Sequence, residues 1–332
     1  MNYNYSCPVN ELDSIRRARG TRSCRSAFYR LAQNRSETAL RLINDDALQF
    51  ASLYILWPAI EELGFRGSLC ERNQIALHLC ERMTREKKAG NDQEPALSLD
   101  SEEVHNVLLW MFETGTADDG LNEEFDLILD TTASILIKTH HEKRILPQVA
   151  DLIFRRNRKD SYLHDLTWAY FQSREPDSLR YIAKRLLSHD RRDAELAATL
   201  LHIEPSELRT VRGCHNKYRE LNRWIDENKP YLYFTGESLN LTNSPAVCHV
   251  DLGAKYLNKA ISPRSRKPLS PLTEEEDSCL KHFRERQDDE KEVLADYSHR
   301  LHESDLNSWQ QWLHNPVGEQ IRIAKNGGRD AS

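Results

Sequence analysis

The residues with most chemical potential in this chain are its clustered arginines. Residues 1 to 35 hold seven of them, and Arg16, Arg17, Arg19, Arg22 and Arg25 are the most tightly grouped. Two acids, Glu11 and Asp13, oppose them, which leaves a surplus of five positive charges. Tyr3, Tyr5, Phe28 and Tyr29 are interleaved with these arginines. Guanidinium groups bind phosphates and aromatic rings stack on bases, so this combination suits a nucleic-acid strand. A second cluster, Arg155-Arg156-Asn157-Arg158-Lys159, falls where the pattern predicts a turn between two helices. Cations there can also cap the end of a helix, where the backbone dipole is negative.

The opposite charge is concentrated as well. Between Phe112 and Ile137 stand seven acids (Glu113, Asp118, Asp119, Glu123, Glu124, Asp126 and Asp130) with no lysine or arginine. Carboxylates this dense can bind a hard cation. The segment DDGLNEEFD, however, lacks the alternating spacing and terminal glutamate of a calcium loop. A solvated turn or a docking patch for a basic partner fits better, and the basic arm of another copy is one such partner. Two Cys-His dipeptides, Cys214-His215 and Cys248-His249, offer four zinc-ligand types. Adjacent side chains on a helix point about 100° apart, which makes such pairs awkward ligands. Cys70 and His78 share an expected helix but lie about 12 Å apart along it, too far for a nucleophile and its base. His140-His141-Glu142 is equally unspecific. There is no HExxH, GxSxG, P-loop or GxGxxG pattern. No catalytic residue, metal site or cofactor is assigned.

These residues need a scaffold, and the composition says of what kind. Among 332 residues there are 43 leucines, 9 valines and only 12 glycines. Leucine keeps its rotamer freedom in a helix and valine does not. Scarce glycine argues against tight hairpins and phosphate-cradling loops. The expected fold class is all-α, a helical-repeat, α-solenoid-like array. Net charge is modest at −6. Seven widely spaced cysteines read as free thiols of a reducing compartment. The polar N-terminus has no apolar signal core, and the longest apolar run, near residues 51 to 60, is far short of the ~18 residues a membrane span needs. A cytoplasmic location without membrane contact is the expectation.

Along the chain, the spacing predicts a basic arm over residues 1–35 and a helical-repeat domain over 36–228, with a polar loop at 85–100. An irregular connector or small hairpin is expected over 229–272, its least helical part near 230–250, and a C-terminal helical unit over 273–326. Apolar residues at three- and four-residue steps mark a helical stretch from 36 to 63, with Ser36, Asp45 and Asp46 offering helix starts and Pro58 a kink or restart, and further helices at 68–86, 101–111 and 121–137. The clearest organisation is a set of four short amphipathic helices at 142–157, 161–173, 176–188 and 191–203. Read in pairs, they repeat about every 30 to 35 residues. Each pair is too small to bury its apolar face alone and must stack on a neighbour.

The segment Asp177 to Leu201 (DSLRYIAKRLLSHDRRDAELAATLL) resembles a HEAT-type repeat, an apolar first helix, a short turn with Asp and Arg, and an Ala/Leu second helix. The resemblance covers one repeat well and the preceding pair poorly, about a fifth of the chain. It implies a stacked helical array. Alkylated-base DNA glycosylases are built from HEAT-like repeats and use an Asp, an Arg and Trp residues; Asp165, Trp168 and Arg180 are of those types. The local sequence of that family is absent here, so the comparison stays at the level of fold.

The resulting expectation is a non-catalytic binding or scaffold protein, a subunit of a larger assembly. Its partners would be protein, DNA or RNA, with the arginine clusters on the phosphate backbone. The alternatives are a nucleic-acid-processing enzyme or its direct subunit, and a metal-stabilised structural protein.

Overall fold

The structure is a computed structural model and describes residues 9–86, 98–237 and 247–327. Among these residues there are sixteen α-helices, a few single turns of 3-10 helix and one two-stranded antiparallel sheet. Among them, no helix is long and apolar enough to cross a membrane. The chain forms two compact units, Met1–Ser173 and Arg174–Ser332, so the boundary falls inside the expected 36–228 span.

The first unit holds eight helices: α1 (Glu11–Asn34), α2 (Ser36–Ile43), α3 (Phe50–Glu62), α4 (Glu71–Glu86), α5 (Glu102–Gly115), α6 (Glu123–Lys138), α7 (Leu146–Arg158) and α8 (His164–Phe171). Each packs mainly on the next one or two in the chain. The starts follow the local chemistry. Asn10, Ser101 and Asn122 cap α1, α5 and α6 by accepting hydrogen bonds from backbone N–H groups of the first turn. The basic segment is therefore no loose arm from residue 11 onward. It is a helix that buries Leu12, Cys24 and Phe28 completely. Gly20 (φ 81°) breaks it into two halves, because that left-handed angle is open to glycine and strained for other residues.

The helical stretch 36–63 is two helices, the second starting at Phe50 rather than at Asp45 or Asp46. Asn44 to Gln49 interrupt it: the Asp45 carboxylate takes the Ala47 N–H at 2.8 Å, and Asn44 bonds the Cys70 N–H and the Ser68 carbonyl. Such side chains offer the backbone an alternative to the helix. Pro58 lies inside α3. The core of this unit is aromatic at its centre. Phe50 stacks on Phe125 with ring centroids 5.4 Å apart and meets Trp110 edge-on at 5.9 Å. Gly115 makes room for them, since a Cβ there would lie 2.8 Å from Leu129 and 3.1 Å from Phe50.

The second unit begins with α9 (Pro176–Ala183), a 3-10 turn at Lys184–Leu187, α10 (Arg191–Leu200) and α11 (Val211–Asn228). The segment with the HEAT resemblance is thus a helix, a turn and a second helix, with Asp190 capping α10. The segment near 230–250 forms the hairpin-like pair β1 (Leu232–Phe234) and β2 (Cys248–Val250), in register Leu232 to Val250. Then follow α12 (Leu252–Tyr256), α13 (Glu274–Arg284), α14 (Asp288–Ser304), α15 (Leu306–Leu313) and α16 (Val317–Gly327). Thr273 and Glu276 form a reciprocal capping box at the start of α13. The last four helices close around Tyr256, which stacks on Phe283 at 4.5 Å and donates its hydroxyl to Gln320 at 2.7 Å. Trp309 Nε1 donates to Ser298 Oγ, which in turn donates to the Tyr256 carbonyl, so these buried polar atoms are satisfied.

Candidate functional site

The structure divides the expected phosphate-binding arginines into two classes. Arg16 is 5% exposed and belongs to the core. Asp13, one turn earlier on α1, is 1% exposed and caps α3 from outside: its carboxylate accepts the Gln49 N–H at 3.0 Å and the Ser52 hydroxyl at 2.6 Å. A carboxylate suits that place because the N-terminus of a helix carries partial positive charge. Burial pushes the Asp13 carboxyl up and the hydrogen bonds oppose it. Arg16 supplies the balancing charge, donating to Ser52 Oγ at 2.8 Å, to Gln49 Oε1 at 2.9 Å and to Asp118.

Arg156 repeats the arrangement at the other cluster. It is 3% exposed, lies 2.7 Å from Asp119 and 2.8 Å from Asp130, and donates to the Tyr162 carbonyl. Two carboxylates around one guanidinium leave a buried negative charge, and burial raises the Asp130 carboxyl to about 6 despite Arg156. Beside it, Arg155 donates to the Thr116 carbonyl at 2.8 Å. Part of the acidic stretch is thus the counter-charge of one buried arginine from each cluster within the same unit. Asp118 meets Arg16, Asp119 and Asp130 meet Arg156, and Asp126 accepts the Gly120 N–H. A guanidinium buried among carboxylates is closed off from a phosphate, so Arg16 and Arg156 are positioned as structural residues.

The remaining residues face solvent. Arg17, Arg19, Arg22, Arg25, Arg158 and Lys159 are exposed. Arg17 donates to Gln49 Oε1 and Arg25 to the Ile55 carbonyl, both of which leave their charge uncompensated. Arg19 and Arg22, on either side of the Gly20 break, have no carboxylate partner among the described residues. Of the interleaved aromatics, Phe28 is buried and Tyr29 donates its hydroxyl to Glu62. Tyr3 and Tyr5 lie outside the described residues.

The other candidates are not assembled into sites. Cys214 Sγ donates to the Leu208 carbonyl on its own segment, and His215 bonds the Val211 carbonyl. Among the described residues no group of three or more His, Cys, Asp or Glu is placed to hold a metal ion. Burial pushes the thiols of Cys24 and Cys248 up to about 11, away from the thiolate a nucleophile needs. His140 stacks on His105 at 4.4 Å rather than on a substrate cleft.

Sequence reasoning missed one cluster in the second unit. Lys255 is 6% exposed and donates to Asn228 Oδ1 at 2.8 Å and Asp296 Oδ1 at 2.6 Å. It lines a cleft of about 1240 Å³ together with Tyr231 and His299. Held by a carboxylate, its ammonium is a structural charge. Nothing in its sequence surroundings separates it from the other lysines.

No protein-family model, curated protein or solved structure matches this chain. The functional reading therefore rests on its own residues. For the glycosylase comparison, Tyr162 donates to Asp165 at 2.8 Å, and Arg180 is held by Asp177, Asn222 and Asp226. Both polar groups are occupied within their own units.

Proposed function

We propose that the chain is a non-catalytic helical-repeat binding protein, a subunit of a larger assembly, that holds a nucleic-acid phosphate backbone on the solvent face of α1. The observation that carries this reading is the division of labour on that helix. Its inner face is anchored by Leu12, Arg16, Cys24 and Phe28, while Arg19 and Arg22 are exposed without a carboxylate partner among the described residues. Three carboxylates of the acidic stretch in the same unit, Asp118, Asp119 and Asp130, are engaged by the buried Arg16 and Arg156 rather than by Arg19 or Arg22. A fixed row of guanidiniums binds a polyanion without the entropy cost of ordering a loose arm. The near-neighbour packing of the helices supports a stacked array, in which each pair buries its apolar face on the next.

Heparin chromatography tests this reading. The full chain is expected to be retained, and an Arg19→Ala/Arg22→Ala variant to elute at clearly lower salt. Equal elution of the two proteins would remove α1 as the binding face.

A further inference from the structure

The second unit carries a basic face of its own, on α11. That helix packs one side on α9 and on the 3-10 turns at Lys184–Leu187 and Pro205–Leu208. Only Ile225 and Asn228 of its residues are fully buried. Leu221, Tyr218 and Cys214 are half-buried on the same side. The opposite side bears Arg212, Asn216, Arg219 and Arg223, all exposed. At 3.6 residues per turn these four fall within about 60° of one another, and from first to last they span about 16 Å.

The charge on this stripe is uncompensated. Arg219 donates to Asn216 Oδ1 at 2.7 Å, and none of Arg212, Arg219 and Arg223 has a carboxylate partner among the described residues. Of the three acids of the helix, Glu227 is exposed at the C-terminal border of the stripe, one turn beyond Arg223, and the other two are engaged elsewhere. Glu220 pairs with Lys217 at 3.4 Å, and Asp226, near the C-terminal end of the stripe, is held by Arg180. Arginines elsewhere in this unit, such as Arg180, Arg191, Arg266 and Arg322, do have carboxylate partners.

We propose that α11 is a reading helix for B-form duplex DNA, its Arg212–Asn216–Arg219–Arg223 face entering the major groove. A helix with its side chains is about 10–12 Å across, and that groove is about 12 Å wide. The residue types fit the task, since arginine pairs with guanine or phosphate and asparagine with adenine. A stripe of about 16 Å covers about five phosphates at the per-strand axial spacing of about 3.4 Å. The major groove of an RNA duplex is too narrow and deep for such side chains, and single strands present no groove. The ligand shares its phosphate backbone with the reading given for α1, but the residues are different and the two stand or fall separately.

The test is fluorescence anisotropy over a salt series, with labelled duplex DNA of about 20 base pairs, its single strand and an RNA duplex of the same sequence as probes. The full-length chain is compared with Arg212→Gln/Arg219→Gln/Arg223→Gln, with Arg219→Lys, and with Arg19→Ala/Arg22→Ala. All these positions are exposed, and a thermal melt confirms that the variants fold. The triple variant is expected to bind duplex DNA at least about tenfold more weakly, with a log–log salt slope shallower by about two to three. Arg219→Lys should lose less, because it keeps the charge but not the bidentate fork. The proposal is overturned if the triple variant binds duplex DNA like the wild type, whether or not the α1 variant is impaired. It is also overturned if the variant loses DNA duplex, RNA duplex and single strand equally, or if polyglutamate competes as well as unlabelled duplex. Loss of duplex binding in the triple variant, with α1 substitutions inert, supports α11 and removes α1.

Discussion

The Arg156 guanidinium lies 2.7 Å from the Asp119 carboxylate, 37 residues earlier in the chain, and each side chain is 3% exposed. This pair, with Asp130 on its other side, makes part of the acidic stretch that lacks lysine and arginine an internal counter-charge. The same stretch serves Arg16 through Asp118. Basic and acidic clusters that read as two interaction surfaces thus meet, at Arg16 and Arg156, in internal ion pairs.

That distinction gives different costs to neighbouring arginines. Arg156→Met or Arg16→Met leaves buried carboxylates without a partner and is expected to cost about 3–5 kcal/mol. Arg19→Ala and Arg22→Ala, on the exposed face, should stay within about 0.5 kcal/mol. Urea unfolding of the four variants separates the classes, and equal losses for all four would contradict the division.

Stability should also depend on pH through Asp130. Its carboxyl is raised to about 6 in the fold, against about 3.9 in an unfolded chain. Between those values the folded state holds more protons, so this residue's contribution is present below about pH 4 and is lost as pH rises through about 6. Asp130→Asn removes the titrating group. Its stability relative to the wild type should therefore improve from about pH 4 to about pH 7, as read by denaturant unfolding at each pH. A difference independent of pH would contradict the assignment.

The break in α1 depends on Gly20, whose φ of 81° is strained for a residue with a side chain. A Cβ at this site would meet nothing within 4 Å, so strain alone is at issue. Gly20→Ala is expected to cost about 1–2 kcal/mol. Gly67→Ala also meets open space, with no positive φ, and should be close to neutral. Thermal melts of the two variants make the comparison.

Thiol reactivity should follow burial. Cys24 and Cys80 are 0% exposed, and burial raises both thiols. Iodoacetamide at about pH 8 should leave both unmodified in the folded chain and label them after unfolding, as mass spectrometry of peptides can show. Rapid labelling of either in the native state would contradict the packing of α1 or α4.

Much of the fold was legible because helix ends carry local chemistry. Pro176, Asp190 and the Thr273–Glu276 box lie at observed starts, and the turn formers after Lys229 precede the small sheet. The gap between α2 and α3 was legible only in part: Asp45 and Asp46 mark a helix start near it, but the leucine pattern runs across it and the interrupting bonds of Asn44 involve residues 24 and 26 positions away. The site was harder to read. Arg16 and Arg19 are the same residue type three positions apart, and only the burial of Arg16 against Asp118, 102 residues away, separates them. The α11 stripe is written in the sequence at steps of four, three and four residues. Such spacing is also that of the ordinary solvated side of an amphipathic helix, and only the placement of the neighbouring acids tells the two apart.

The central claim is that the exposed arginines of α1 hold a nucleic-acid strand. It is tested most directly by the salt dependence of binding to a labelled single strand of about 20 nucleotides. The wild type should lose affinity steeply with salt, and Arg19→Ala/Arg22→Ala should bind more weakly with a slope shallower by about 1.4, two contacts at about 0.7 each. Overlapping curves for the two proteins, or a wild type that binds no strand at low salt, would contradict it.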